Sequence, residues 1–158
     1  QTRQFWTLPW LPGRRYLDKD VYVLTSHSTF SGAEECAYNL QTQKRAQIVG
    51  ETTGGGANPG GRVELTKHLY AFVPSGRAIN PVTGTNWEGT GVEPDVKVSA
   101  DLALDTARAL ALRKLVDPCP DSDRRQALTD ELERIERGLS GSGSGKAGIQ
   151  PAAAERKK

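Results

Sequence analysis

Methionine is missing from this sequence altogether, and cysteine and histidine occur only twice each. The two cysteines, Cys36 and Cys119, lie far apart and form neither a CxxC pair nor a zinc-ligand spacing. Cys36 is expected on the buried face of a helix and Cys119 in a turn-rich loop, with no disulfide between them. Aromatic residues make up 6% of the chain and do not alternate with basic ones, and the net charge is only +2. Nothing therefore suggests a nucleic-acid platform or another polyanionic partner. No apolar run approaches the roughly 20 residues that cross a bilayer as a helix. Hydrophobic residues amount to 36% of 158, enough for a core but low enough to leave part of the chain unpacked. The residues suggest no metal and no organic cofactor. The chain opens on Gln1 in "QTRQFWTLPWLPGRR", which reads neither as a signal peptide nor as a natural start. A fragment of a longer protein is the expectation.

What is present follows an α/β pattern. Residues 1–20 hold Trp6, Pro9, Trp10, Pro12 and Gly13 and read as an irregular segment whose aromatics tuck onto the core. "VYVLT", 21–25, is a β-branched apolar run of the kind that suits a strand covered on both faces. From Ser31 the period changes. Ala33, Cys36, Ala37 and Leu40 recur at i, i+3, i+4 and i+7, one face of a helix, with Glu34 and Glu35 in its first turn. "AQIVG", 46–50, reads as the next strand, so strand, helix and strand make a βαβ unit with a right-handed crossover. A glycine-rich loop, "ETTGGGANPGG", follows, then "RVELT" and "LYAFVP" as a hairpin turning near Lys67 and His68. The polar loop 75–95 is long enough to suggest function. "VKV" is a last short strand, and "ADLALDTARALALRKL" an Ala/Leu-rich helix. Past a break at "DPCPD", Leu128, Leu132, Ile135 and Leu139 mark an amphipathic helix, packed on the domain or on a partner. Residues 140–158, rich in Gly, Ser and Ala, read as a flexible tail.

The stretch "LTSHSTFSGAEECAYNL" poses the chemical question. Ser31 stands between a strand and a helix. Serine is a favoured helix cap in every class of protein. The same placement also suits a nucleophile, because free amides at the helix start can stabilise an oxyanion and Gly32 leaves the backbone open to substrate. A nucleophilic serine needs a base. His27 and His68 are the only histidines, neither sits in a supporting motif, and both read as ordinary surface or core residues.

The residues "YVLTSHSTFSGAEECAYNLQTQKRAQIVGETTGGGANPGG" and "VPSGRAINPVTGTNWEGTGVEPDVKV" resemble the S41 family of serine peptidases. The similarity is to its interphotoreceptor retinoid-binding-protein-like and tricorn-like hydrolase domains, and it covers roughly residues 5–112. The resemblance implies a crotonase/ClpP-like ββα superhelix, present here in part. It implies that Ser31, three residues before Glu34, is the nucleophile and that the Gly32 N–H contributes to the oxyanion hole. One branch of the family uses a Ser-Lys dyad, but the loop where its lysine would fall holds Gly54, Gly55 and Gly56, and Lys44 and Lys67 lie outside it. The tricorn-like branch uses a serine, a histidine and an orienting glutamate before "GVxPD", which puts Glu88 in that role. Its histidine comes from an earlier part of the fold and has no match among these residues.

The sequence thus reads as the C-terminal part of an S41-like peptidase core over residues 1–116, a helical extension over 117–139 and a tail over 140–158. Catalysis would rest on Ser31 and Glu88, with the oxyanion on Gly32 and with Gly55, Gly56 and Trp87 against substrate. The implied partners are a peptide or protein substrate and an upstream segment of the same full-length protein, with no cofactor and no membrane span. The resemblance implies a secreted or cell-envelope setting in a bacterium. The alternative is a non-catalytic domain that binds an apolar ligand or peptide in a pocket lined by Trp87, Phe72 and Tyr70.

Overall fold

A computed structural model describes residues 2, 4, 8 and 10–142. In chain order the elements are β1 (Tyr22–Thr25), α1 (Gly32–Thr42), β2 (Gln47–Gly50), β3 (Gly60–Thr66), β4 (Leu69–Pro74), β5 (Val96–Lys97), α2 (Ala100–Val116) and α3 (Ser122–Ser142). The result is a mixed α/β arrangement.

Strands β1, β2 and β5 form one parallel sheet in the order β1-β2-β5. Tyr22 pairs with Gln47 and Thr25 with Gly50, while Val49 faces Val96. Successive side chains on a strand point to opposite faces, and β2 uses both. Ile48 packs with Ala37 of α1 and with Trp87 and Val92. Val49 packs with Ala103 and Ala107 of α2. A strand buried on both sides must be apolar at consecutive positions, which is why "IV" sits at its centre. Asp95 fixes the register from outside, its carboxylate accepting the Ile48 N–H at 2.7 Å.

Helix α1 corrects the expected face. Glu34 and Ala37 are its buried residues, whereas Ala33 and Cys36 are exposed. The helix is rotated so that a carboxylate, not the thiol, enters the protein. Both cysteines are free, and Cys119 is the buried one, its thiol against the Asp121 carbonyl at 3.6 Å. The N-terminal aromatics are a second correction. Trp10 is 72% exposed rather than tucked away, and Tyr16 lies beneath the Arg45 guanidinium, also open to solvent. Trp6 lies outside the described residues.

The β3–β4 hairpin turns at Lys67 and His68 as expected. It presents Val63, Leu65, Leu69, Phe72 and Val73 to solvent, and Arg62 covers the Tyr70 ring at 3.6 Å. Helix α3 packs along α2. Ile135 is its buried residue, and Arg108–Glu131 (2.5 Å) and Arg113–Glu136 (2.6 Å) bridge the two helices. It runs to Ser142, three positions past the expected boundary at 139, and the rest of the expected tail lies outside the described residues.

Two neighbouring positions separate what holds α3. Ile135→Ala should cost about 2–5 kcal/mol, the usual range for emptying a buried aliphatic site. Glu136→Ala removes an ion pair that is 40% or more exposed on both sides and should cost about 1 kcal/mol or less. Urea unfolding of the two variants checks the ratio, and equal losses would contradict a packing-held helix.

Candidate active site

The segment between β1 and α1 is folded tightly before it reaches the serine. The Thr29 N–H donates to the Ser26 carbonyl at 2.9 Å, and the Ser26 N–H donates back to the Thr29 hydroxyl at 3.0 Å. Ser31 then takes φ 54° and ψ −121° as the N-cap of α1. Few L-residues adopt that backbone, and holding one there costs of the order of 1–3 kcal/mol. The turn leaves Ser31 exposed. The next amide, Gly32 N–H, meets no acceptor among the described residues, and the space where a Gly32 side chain would stand is empty. An exposed hydroxyl beside an unpaired amide at a helix start can attack a carbonyl and receive the resulting oxyanion.

Glu34 holds the strained turn in place. Its carboxylate is fully buried and accepts four hydrogen bonds. Ser31 N–H donates at 2.8 Å, the Thr53 hydroxyl at 2.5 Å, Gly55 N–H at 2.7 Å and Gly56 N–H at 2.8 Å. Burial, the largest single influence on this carboxyl, pushes its pKa up. The bonds from Thr53, Gly56, Gly55 and Ser31 together outweigh burial and leave the pKa below that of an ordinary glutamate. Thr53 carries the link onward, since its hydroxyl also accepts the Val92 N–H at 2.7 Å.

The glycine loop fits around this hub. A Cβ on Gly56 would lie 2.1 Å from the Phe30 Cζ, and one on Gly54 would lie 2.8 Å from Phe30 Cδ2. Only glycine lets the loop come so close to the residue before the serine. Gly55 and Gly56 are therefore beside Ser31, with their amides committed to Glu34. Glu88 lies one step further along. Its carboxylate accepts the Ala57 and Asn58 amides at 2.7 and 2.8 Å through one oxygen, and no hydrogen bond links it to Ser31. Trp87 is 3% exposed, meets the Tyr38 ring at 5.3 Å with the planes tilted by 47°, and donates to the Gly56 carbonyl at 3.1 Å. Its indole is core packing that braces the loop, not an exposed wall. It does not line a pocket with Tyr70 and Phe72, which stand exposed on the hairpin.

His27 is engaged elsewhere. Its side chain is 83% exposed, and its Nδ1 lies 3.1 Å from Glu51, which also accepts the His27 amide and the Ala100 N–H. Those contacts hold the Glu51 carboxyl below its ordinary pKa, the His27 amide contributing most. Ala100 opens α2, on the opposite face of the sheet from α1. A cleft of about 340 Å³ includes Asp20, Tyr22, Lys44 and Lys114 but neither Ser31 nor Glu88. Ser31 stands on an exposed turn outside that cleft. Among the described residues no group of three or more His, Cys, Asp or Glu is placed to hold a metal.

Reading the residues alone missed Thr53 and Phe30. The capping-box spacing, Ser31 followed three residues later by Glu34, was a signal for the Glu34 bond to the cap amide. Nothing local announces Thr53, whose partners are 19 and 39 residues away.

The family model described as "Peptidase family S41" matches residues 8–98, more than half of the 158. Among solved structures, the chain is similar to a photosystem II D1 C-terminal processing protease at 28% identity and a TM-score of 0.45. That match covers 54% of this chain and 22% of the other, so this chain spans about a fifth of that protein's length.

Glu34 should dominate the acid stability of the site. Its folded pKa is depressed, so its contribution is complete above the unfolded carboxyl pKa and is lost as pH falls through the lower folded value. Glu34→Gln leaves buried amides facing a poorer acceptor and should cost at least about 2 kcal/mol near neutrality. It should also flatten the acid limb of a stability-versus-pH curve measured by urea unfolding. An unchanged acid limb in the variant would remove Glu34 from this role.

Proposed function

The chain belongs to peptidase family S41, and from that membership we propose that Ser31 is the nucleophile of a serine-type peptidase centre. What supports the reading above all is the Ser31 backbone, strained at φ 54° and exposed beside the unpaired Gly32 amide. A cap alone requires no such strain.

In this reading Ser31 Oγ attacks the scissile carbonyl carbon and gives its proton to a base. The carbonyl oxygen takes the negative charge and is met by the Gly32 N–H. Collapse breaks the C–N bond, the amine leaves with the proton returned by the base, and the acyl group stays on Ser31 until water removes it. The base in this reading is a histidine from a segment outside these 158 residues, as the resemblance to the tricorn-like branch implies; His27 is tied to Glu51 on the α2 side and the glycine loop carries no lysine. Glu88 orients that histidine with the carboxylate oxygen that Ala57 and Asn58 leave free. Gly55 and Gly56 frame the groove in which an extended peptide lies. The small sheet and helices are one part of a crotonase-like superhelix, with residues 1–116 as its C-terminal portion.

The test compares these 158 residues with a chain extended upstream, on a fluorogenic peptide. The short chain should give no more than about 10³- to 10⁴-fold over water, the residue left when a triad member is missing. The extended chain should turn over, and Ser31→Ala should abolish it. Ser31-dependent turnover by the short chain alone would overturn the external base and promote His27. Inactivity of both, together with tight binding of an apolar ligand, would replace the peptidase reading by a binding domain.

A further inference from the structure

Phe30 precedes the serine directly, and its ring is fixed on one side and open on the other. Two glycines make its seat, because a Cβ at Gly56 would fall within 2.1–2.6 Å of three ring carbons and one at Gly54 within 2.8 Å of a fourth. Phe30 nevertheless remains 58% exposed as a residue. Its position relative to Ser31 is locked from both directions. The chain joins it to Ser31, and Glu34 bonds Ser31 and the Gly55 and Gly56 amides at once.

On the loop side a carboxylate, Glu88, takes the Ala57 and Asn58 amides just past Gly56, but the segments that seat the ring are themselves uncharged. The stretch "STFSGA" and the loop "GGGANPGG" carry no lysine, arginine or acid. Glu34 is buried with all its partners in place, and His27 is turned to Glu51. A rigid aromatic face seated between uncharged segments recognises an apolar side chain. When a peptide carbonyl carbon sits on Ser31 Oγ, the Cα of that residue is about 1.5 Å further away, so its side chain lies within a ring's reach of the turn.

We propose that Phe30 is a specificity-determining residue whose ring walls a subsite for an apolar side chain on the residue that supplies the scissile carbonyl. The inference rests on reading Ser31 as the nucleophile, and its test is built on binding so that the two can fail separately. Short acetylated peptides that end in Leu, Asp or Lys mimic the acyl-side product, with a carboxylate where the oxyanion forms. They are titrated into the isotopically labelled 158-residue chain, with the Phe30 ring and the Gly32 amide followed by NMR. The Leu peptide should bind at least about 10-fold tighter than the other two, the lower end of what apolar pocket contacts discriminate, and should shift both probes. Phe30→Ala should bring the three affinities to within about 2-fold of one another. Phe30→Gln, which keeps the ring's seat filled with a polar chain, should do the same if the alanine variant fails to fold.

Equal affinities in the native chain, a preference for Lys or Asp, or a Leu preference that survives both substitutions would each overturn the assignment of Phe30. A Gly32 shift accompanying any of these results would leave the nucleophile reading standing. Selective Leu binding that shifts the Phe30 ring but not Gly32 would support the apolar subsite and count against oxyanion binding at the Ser31 turn. Absence of binding by all three peptides would overturn the subsite.

Discussion

A buried carboxylate must be satisfied completely or it does not stay buried. Glu34 meets that condition by drawing donors from two separated stretches of chain: the turn before α1, and the loop that holds Thr53, Gly55 and Gly56. Thr53 extends the same network to Val92. The turn that carries Ser31, the loop beside it and the segment leading to β5 are thereby one unit. The strain at Ser31 persists because its amide is one of the four donors, and relaxing the turn would leave the carboxylate short of a partner.

The sheet divides the neighbourhood into two sides. Ile48 looks toward α1 and Val49 toward α2. Glu51, just past the end of β2, takes the Ala100 amide at the start of α2 and brings His27 with it. The histidine nearest the serine in sequence is thus recruited to the helix on the other face. Proximity along the chain and proximity across a fold are different quantities, and a three-layer arrangement separates them.

Much of this architecture can be read from the residues. The consecutive apolar pairs in "VYVL" and "QIVG", the period change at Ser31 and the hairpin alternation all act locally, so the elements they mark were legible. The position of Ser31 between strand and helix was legible for the same reason. The buried face of α1 was not. Hydrophobic periodicity ranks Cys36 above Glu34, and only the amides of a loop some twenty residues away reverse that order. Trp87 misled in the same manner, since a tryptophan in a polar loop looks like a ligand contact until Tyr38 and the Gly56 carbonyl close around it. Trp10 erred in the opposite direction, with bulk suggesting burial where the side chain stands open to solvent.

The links to Glu34 and Thr53 span 19, 21, 22 and 39 residues. Closing loops of that length loses chain entropy before the contacts can return it, so such links form late in folding. A ribosome-bound chain that has emerged only as far as α1 carries a serine with nothing to force its backbone out of the common regions. The unusual geometry is acquired only after residues as distant as Val92 have been made and docked. The strained backbone is a property of the finished fold, so a nascent chain passes through synthesis with an ordinary, relaxed serine at position 31.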